Sequence, residues 1–548
     1  MHRHYATVSS TSKSNAEPQR IAILGGGITG LASAYFLSKD LPKAKITLFE
    51  ASPRLGGWLH SRSVDIGSGS VIFEQGPRNL RPTMPNGLIT LNLVRDLGLE
   101  DRILMTSKNS VAAQNRFIYY PDHLVRMPGP GSSLLQNISN VLSEPIFKGT
   151  ISAALSEVTK ARRPGDLQDE SIGSFLTRRF GSALADNVVS AVFHGIYAGD
   201  IYKLSARAIM PSLWAIEWRN NSIMKGLLEQ AFGGMQPIAT ADLNLIKTLQ
   251  SQPIMSDKLE VVKKSSVFTF KGGIGELADR LEAKLDESDN VLVMENTHVG
   301  QIKLGSNAVG EKIQMNAKEV SNREITNYEF DHVVSTIPGD KLASIAPTIN
   351  LSSLSRTSAV TVMVVNLFFS SPDILPVHGF GYLLPRSVPF EQNPERALGV
   401  VFDSDASIGQ DDVPGTKVTV MLGGHWWDDF DAYPDEDEGA SMAKALLNRH
   451  LGINEEPRAI RVSLQRNCIP QYGVGHEARM EDASLRLESF KGRLRVAGNS
   501  YTGVGLNDCI RAARDVVKDL VNGTGTTGLE SFVGGKKWSW FKREELKI

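Results

Sequence analysis

Along the first fifty residues the pattern of hydrophobic and polar positions changes period twice. Ile21–Leu24 is a short apolar run and GGGITG follows it; in LASAYFLSKD the residues Leu31, Ala34, Tyr35, Leu37 and Ser38 then recur at helical spacing, and a second apolar run, Ile46–Glu50, ends in an acid. A short apolar run bounded by glycine reads as a buried strand, and a 3.6-residue recurrence reads as a helix. The order strand, glycine turn, helix, strand therefore predicts a right-handed βαβ crossover founding a parallel sheet. From Gly131 to Phe232 the apolar spacing stays mostly helical, interrupted by RRPGDLQDE at Arg162–Glu170, which predicts a helical domain. From Ala359 to Gly424 the stretches VTVMVVNLFF, GFGYLL, LGVVF and KVTVMLGG alternate with Gly and Pro, which predicts a mixed or antiparallel sheet.

Two later stretches, FKGGIGELADRLEAKL with VLVM after it and FDHVVSTIP at Phe330–Pro338, match the first unit in pattern, so the nucleotide domain is expected to be discontinuous. The expected class is α/β. Residues 18–108, 262–345 and 455–523 make up a discontinuous Rossmann-like domain. Residues 109–125, 236–261 and 346–454 form a mixed-sheet substrate domain, 126–235 an inserted helical domain, and 524–548 a C-terminal tail. DDFDAYPDEDEG at Asp428–Gly439 reads as a solvated acidic loop.

Composition narrows the function. The 548 residues allow three to four domain-sized units at about 150 residues each. Their 59 basic and 60 acidic side chains leave a net charge of −1, so nothing global draws the chain to nucleic acid, and no nucleic-acid partner is expected. Two cysteines, Cys468 and Cys509, exclude a disulfide framework and Cys-rich metal sites, and no metal site is expected; a reducing or mitochondrial compartment fits. The longest nearly apolar run, Val360–Phe369, is about half of what a membrane-spanning helix needs. The first residues carry Arg3 and Lys13, are rich in Ser and Thr, and hold no acid before Glu17, which suits a mitochondrial presequence over residues 1–17.

The glycine turn carries the chemistry. Gly25, Gly27 and Gly30 form G-x-G-x-x-G between a predicted strand and helix, with Gly26, Ile28 and Thr29 completing the turn, and Glu50 follows 20 positions after Gly30. The first glycine permits the tight turn and the second lets backbone approach a pyrophosphate. The third allows close helix–strand packing, and the acid accepts ribose hydroxyls. Next come Arg54, Gly56, Gly57 and Trp58, a second glycine pair beside a cation, which reads as another phosphate contact; a plain surface charge at Arg54 is the alternative. Near the other end, RLRVAGNSYTGVGLNDCIRAARDVV (Arg493–Val517) reads as strand, glycine-rich turn and helix, a second close backbone approach in which Asp508 caps the helix.

The Glu50-x5-Gly-Gly spacing resembles the flavoprotein group of amine oxidases, phytoene desaturases and protoporphyrinogen oxidases. GGGITGLASAY, PRLGGW, FEQGPRNLRP, AAQNRF, GFGYLLP, VTVMLGG and NCIPQYGVGH, spread between Ile21 and Val517, are similar specifically to the protoporphyrinogen oxidases; AAQNRF and NCIPQY are not shared by amine oxidases. The resemblance implies noncovalent FAD held by the first glycine turn, Glu50, Arg54, Gly57 and Trp58, by Gly76, Pro77, Arg78 and Asn79, by Val299, and by Asn499, Val504, Gly505 and Leu506. Cys468 lies where amine oxidases place a flavin-linked cysteine, but a small buried thiol is the expected reading.

The substrate so implied is protoporphyrinogen IX, an apolar macrocycle with two propionates. Arg116 would pair with a propionate, and Phe380, Leu383 and Met421 would line the pocket, although each could be a core strand residue. A guanidinium suits a carboxylate because it offers two parallel donors. The reaction implied is a six-electron oxidation by hydride removal to flavin, with 3 O₂ reduced to 3 H₂O₂. No side-chain base is assigned, and His476 reads as structural. Partners implied are O₂, peripheral contact with the inner mitochondrial membrane, and hand-off to ferrochelatase, with a homodimer left open. Met127–Phe147 and, as a second candidate, the tail residues Trp538, Trp540 and Phe541 among Lys536, Lys537, Lys542 and Arg543 could meet the membrane; the alternative for the tail is disorder or docking on the rest of the chain. The rival readings are an amine oxidase or carotenoid-type desaturase, and a non-redox binder like the Rab GDP-dissociation inhibitors.

Overall fold

The computed structural model describes residues 18–83, 85–129, 131–250, 256–307, 310–321 and 324–542; the presequence expected over residues 1–17 lies outside them. Five parallel strands make the first sheet, in the order Val291–Met294, Lys45–Phe49, Arg20–Leu24, His332–Ser335, Leu494–Val496. Its central strand is apolar without alternation because both faces are covered. Ile21 and Ile23 pack into a core shared with the helices Ile28–Asp40, Glu276–Asp286 and Leu506–Val521. Ala22 and Leu24 face the antiparallel strands Thr297–Asn307, Gly310–Glu319 and Ile325–Phe330 and the helix His476–Leu487. Strands from the start, middle and end of the chain meet in this sheet, so the nucleotide unit is discontinuous.

The second sheet has seven strands in the order Ala459–Pro470, Ala359–Phe369, Thr416–Gly423, Ala397–Phe402, Gly381–Leu383, Phe117–Tyr119, Leu124–Arg126. It is mixed because Gly381–Leu383 runs parallel to Phe117–Tyr119 and every other pairing is antiparallel. The apolar run of Ala359–Phe369 is explained by two covered faces: Met363, Val365 and Leu367 pack toward the helix Glu436–Leu451, and Val362 and Val364 pack on the opposite side with Met421 and Cys468. Among the described residues no helix is long and apolar enough to cross a membrane.

Residues 134–231 are mostly helical, with residues 158–171 forming a non-helical stretch where RRPGDLQDE interrupts the spacing. Their core of Phe175, Leu176, Phe193 and Tyr197 sits beside a buried ion network in which Arg179 contacts Glu157 and both Arg163 and Arg178 contact Glu217. The structure differs from the sequence reading at three places, and at the tail it takes the docked alternative. Ala459–Pro470, expected in the nucleotide domain, is an edge strand of the seven-stranded sheet. Leu249 and Leu259, placed with the substrate domain, pack in the nucleotide-domain core. Half of the expected acidic loop starts a helix: Asp435 caps it, and Glu436, Asp437 and Glu438 occupy its first turn, where the helix dipole favours negative charge. The tail is docked, with Trp538–Phe541 pairing antiparallel to Gln236–Ala239.

Candidate active site

Three backbone approaches build the cofactor cradle. At Gly30 a Cβ would lie 1.8 Å from the Gly25 carbonyl oxygen, so only glycine lets the first helix pack against the turn of its own strand. At Gly27 a Cβ would meet nothing nearer than the Gly57 Cα at 3.9 Å. Here the missing side chain leaves open space at the start of the first helix, the shape a pyrophosphate requires. Gly57 adopts φ +58° opposite Gly27, and the Gly56 N–H donates to the Gly26 carbonyl at 2.9 Å, which clamps the two glycine pairs together. Gly498, in the turn before the last helix, has φ +122°, and its Cβ position is 3.5 Å from the Thr29 hydroxyl. Thus the N-terminal and C-terminal turns touch, and the helices Ile28–Asp40 and Leu506–Val521 start at the same place.

Around this cradle Glu50 accepts the Gly26 N–H at 2.6 Å on one oxygen and the Ser52 N–H at 2.8 Å on the other. Each carboxylate oxygen keeps a second lone pair for a ribose hydroxyl. Arg54 donates to the Leu55 carbonyl at 2.9 Å and to the Gly57 carbonyl, so its guanidinium both shapes the glycine loop and leaves its charge there. Burial, together with the charges of Arg54, Arg62 and Arg461, pushes His60 down to about 4. This cluster of cations makes the loop electropositive, as a diphosphate demands; Arg62 and Arg461 are missed by motif reading because they belong to different elements.

The FEQGPRNLRP segment passes beside it. A Cβ on Gly76 would be 2.2 Å from the Trp58 carbonyl oxygen, while Trp58 itself and Pro77 are exposed. Arg78 does not point a free charge at the cradle: it pairs with buried Asp403 at 2.8 Å, tying the segment to the seven-stranded sheet. Asn79 is the opposite case, since both of its amide atoms are buried and neither finds a hydrogen-bond partner. Buried amides left bare are rare, and a polar ligand beside Asn79 would satisfy them. Val299 is the third residue of the strand Thr297–Asn307, whose Thr297 N–H donates to the Glu50 carbonyl at 2.8 Å. At the far end the Tyr472 hydroxyl donates to the Asn499 carbonyl, Val504 packs against the helical core, and Leu506 against the nucleotide core. The Gly505 N–H donates to Asp508 at 3.2 Å, so Asp508 caps the last helix. The open space at Gly27, the bare Asn79 amide and the local excess of cations fit a flavin dinucleotide.

The second sheet supplies a different surface. Leu383 pairs with Gly399, Gly399 with Met421 and Met421 with Val364, so these four form one row across one face. A Cβ on Gly399 would lie 2.9 Å from Leu383 Cδ2, so the Leu383 side chain leans over Gly399 within that row. Arg116 and Phe380 precede neighbouring strands, and the Phe380 N–H donates to the Asn115 carbonyl at 3.0 Å. The Arg116 guanidinium sits 6.0 Å from the Phe380 ring centroid. It reaches solvent, and no carboxylate among the described residues forms an ion pair with it. Partial desolvation and the nearby Arg81 lower its pKa. Arg81, the second arginine of FEQGPRNLRP, is a neighbour that the motif contained without revealing its position.

Beside the row, the His194 Nδ1 donates to the Leu384 carbonyl at 2.6 Å and its Nε2 lies 2.8 Å from the His425 Nε2. Burial drives His194 to about 3 and His425 to about 4, so both rings are neutral and His425 donates to His194. Cys468 packs with Met421, and burial lifts its thiol to about 11. His476 is buried, stacks on Tyr472 with centroids 4.1 Å apart, and lies 3.0 Å from the Tyr501 carbonyl. No acid–base residue is brought into the open part of the site by any of these contacts.

Residues 28–521 match the model of the flavin containing amine oxidoreductase family. The chain is 35% identical over 511 residues to the protoporphyrinogen oxidase of Schizosaccharomyces pombe, covering 92% of this chain and 98% of that one. It is 36% identical over 514 residues to the protoporphyrinogen oxidase of Homo sapiens, covering 91% and 98%. A crystal structure from Exiguobacterium, provisionally described as a protoporphyrinogen oxidase, shares its fold with TM-score 0.72 at 21% identity, covering 92% and 99%.

Proposed function

We infer the activity from one premise: this chain belongs to the flavin containing amine oxidoreductase family. It is an FAD-dependent oxidoreductase that oxidises protoporphyrinogen to protoporphyrin in haem biosynthesis, with O₂ as acceptor. The observation that carries the substrate assignment is Arg116, an arginine without a carboxylate partner among the described residues, set on the Phe380 ring beside the Leu383–Met421 row. A planar apolar macrocycle with propionates needs that combination of a cation and a broad apolar wall. An amine substrate would gain nothing from Arg116, and a purely hydrocarbon desaturase substrate would leave it unpaired.

The residues divide the work. The Gly27–Gly57 approach, Glu50, Asn79 and the turn Asn499–Leu506 hold the dinucleotide. The chemistry that bound flavin supplies is hydride acceptance and return of the electrons to O₂. Arg116 fixes the macrocycle by one carboxylate, and the Leu383, Gly399 and Met421 row excludes water from its face. The flavin is held noncovalently, because a thiol lifted to about 11 at Cys468 is protonated and a poor nucleophile at neutral pH. Acid precipitation of the yellow protein leaves the colour in solution; a yellow pellet would contradict noncovalent binding.

Membrane contact is peripheral and runs through the helix Leu134–Ser143, none of whose residues is buried, and the neighbouring Ile151 and Leu155. The inner mitochondrial membrane, a hand-off to ferrochelatase and a homodimer extend the same reading. The test of the activity is porphyrin fluorescence on adding protoporphyrinogen to the purified protein under air. Colourless protein that takes up no FAD, or flavoprotein that releases no porphyrin, would refute it.

A further inference from the structure

A cavity of about 700 Å³ lies outside the flavin site, between the helix Pro211–Asn220 and the docked C-terminal strand. Four indoles line it, Trp214, Trp218, Trp538 and Trp540, together with Arg163, Arg207, Arg219, Lys536 and a single carboxylate, Glu477. Its charges do not balance. Glu477 is shared by Arg207 at 2.7 Å and Lys536 at 3.4 Å, and Arg163 is matched outside the lining by Glu217 at 3.3 Å. Arg219 has no carboxylate partner among the described residues; it donates to the Met235 sulfur at 3.6 Å and lies over the Trp540 ring at 4.1 Å. Arg163 similarly covers Trp214 at 3.5 Å. One buried atom of the lining residues, Arg163 Nε, has no hydrogen-bond partner, and Arg163 and Glu477 are each only 7% exposed.

Indole faces with guanidinia laid on them make a slot for a flat aromatic body, since offset stacking and cation–π contact act on the same planes. Excess positive charge held at different partners round the wall suits an anion whose carboxylates are separated. We propose that this cavity is a second binding site, for a planar aromatic dicarboxylate, and that its occupant is the porphyrin the chain itself releases. The identity of the occupant rests on the activity proposed above; the chemistry of the site does not. The site is also connected to the turn Asn499–Leu506. Glu477 follows His476, which stacks on Tyr472, and the Tyr472 hydroxyl holds the Asn499 carbonyl.

The experiment is equilibrium titration of the flavin-loaded full-length protein with protoporphyrin IX, read by quenching of tryptophan fluorescence. Wild type, Arg116→Ala and the double variant Arg219→Gln/Lys536→Gln are compared. Wild type is expected to take up two equivalents. The double variant weakens one of them by about tenfold or more, equivalent to about 1.4 kcal/mol or more, while its flavin content and initial turnover stay at wild-type level. Arg116→Ala weakens the other. A single equivalent, lost in Arg116→Ala and untouched in the double variant, overturns the second site. Competition for the second equivalent by ATP, or by vesicles of phosphatidylglycerol, overturns the dicarboxylate assignment in favour of a phosphate ligand. Two equivalents in a protein that oxidises no protoporphyrinogen leave the site standing and sink the activity; turnover with one equivalent does the reverse.

Discussion

Arg116 and Glu74 show how single side chains divide between binding and folding. Arg116 is open to solvent and without an ion-pair partner among the described residues, so removing it costs the fold little and the substrate much. Arg116→Ala is expected to raise KM for protoporphyrinogen about ten- to hundredfold with kcat nearly unchanged, as for loss of one charge-assisted hydrogen bond. Arg116→Lys restores only part, because an ammonium cannot pair bidentately. Steady-state porphyrin fluorescence measures both, and an unchanged KM in the Ala variant would remove Arg116 from the substrate site. Glu74 is buried at the junction of the two large domains, accepting the Ser61 hydroxyl at 2.6 Å and the Ile274 N–H at 2.7 Å, and burial raises it to about 7.

Because Glu74 in the folded state holds its proton above the ordinary carboxyl value, the stability this provides is complete below the unfolded pKa. It is lost as pH rises toward and through 7, on the order of 3 kcal/mol in all. Glu74→Gln keeps an acceptor for the Ile274 N–H and removes the titration. Its melting temperature should therefore fall less than that of the wild type between about pH 5 and about pH 8; parallel profiles would show that Glu74 ionises freely in the folded protein. His194 works in the opposite sense: held neutral down to about 3, it costs stability as pH falls below its ordinary 6.5.

Among elements, the first helix separates two roles that its glycines share by motif alone. A methyl at position 30 collides with the Gly25 carbonyl, whereas a methyl at position 27 projects into the open cradle. Gly30→Ala should therefore lower the melting temperature and yield little soluble flavoprotein. Gly27→Ala should keep the apoprotein melt and weaken FAD uptake, measured by visible absorbance after reconstitution. A Gly27→Ala protein that binds flavin like wild type would move the cofactor elsewhere.

This founding unit was legible in the sequence because its determinants are local: a strand, a turn and a helix within thirty residues. Leu383 and Met421 are named only through resemblance, and the row that joins them through Gly399 is not legible, since its register is set by pairing between separate strands. That the tail docks is one of the readings its sequence offers, but its partner strand Gln236–Ala239 is not legible there. Four residues rich in indole and flanked by lysines carry the same composition whether they meet a headgroup region or a partner strand some 300 positions away. Asn79 is named by the resemblance alone, and that both its amide atoms are bare emerges only from the packing around it.

For the whole molecule, among the described residues a face of the helical region carries exposed apolar side chains that its own core does not explain. Leu134, Ile138 and Leu142 recur every four residues along one side of the helix Leu134–Ser143, and Leu135 beside them is 80% exposed. The next helix, Thr150–Glu157, adds Ile151 and Leu155. A cluster of this kind on a water-soluble protein marks an interaction surface, and a helix apolar on its outer side lies in a lipid interface without crossing it. Among the described residues the tail offers no comparable surface, since Trp538 and Trp540 line a cavity and the strand that carries them is paired. The two candidates thus make opposite forecasts. Leu135→Glu/Leu142→Glu should abolish co-flotation with liposomes containing cardiolipin while leaving flavin content and turnover of detergent-solubilised substrate unchanged, because neither side chain is buried. Each glutamate placed in the apolar boundary costs on the order of 2 kcal/mol or more, and two suffice to reverse weak interfacial binding. Removal of residues 534–548 should leave flotation intact and instead lower the melting temperature, by stripping the strand paired to Gln236–Ala239. Flotation that survives the double glutamate and disappears with the tail would transfer the membrane contact from the helical domain to the C-terminus.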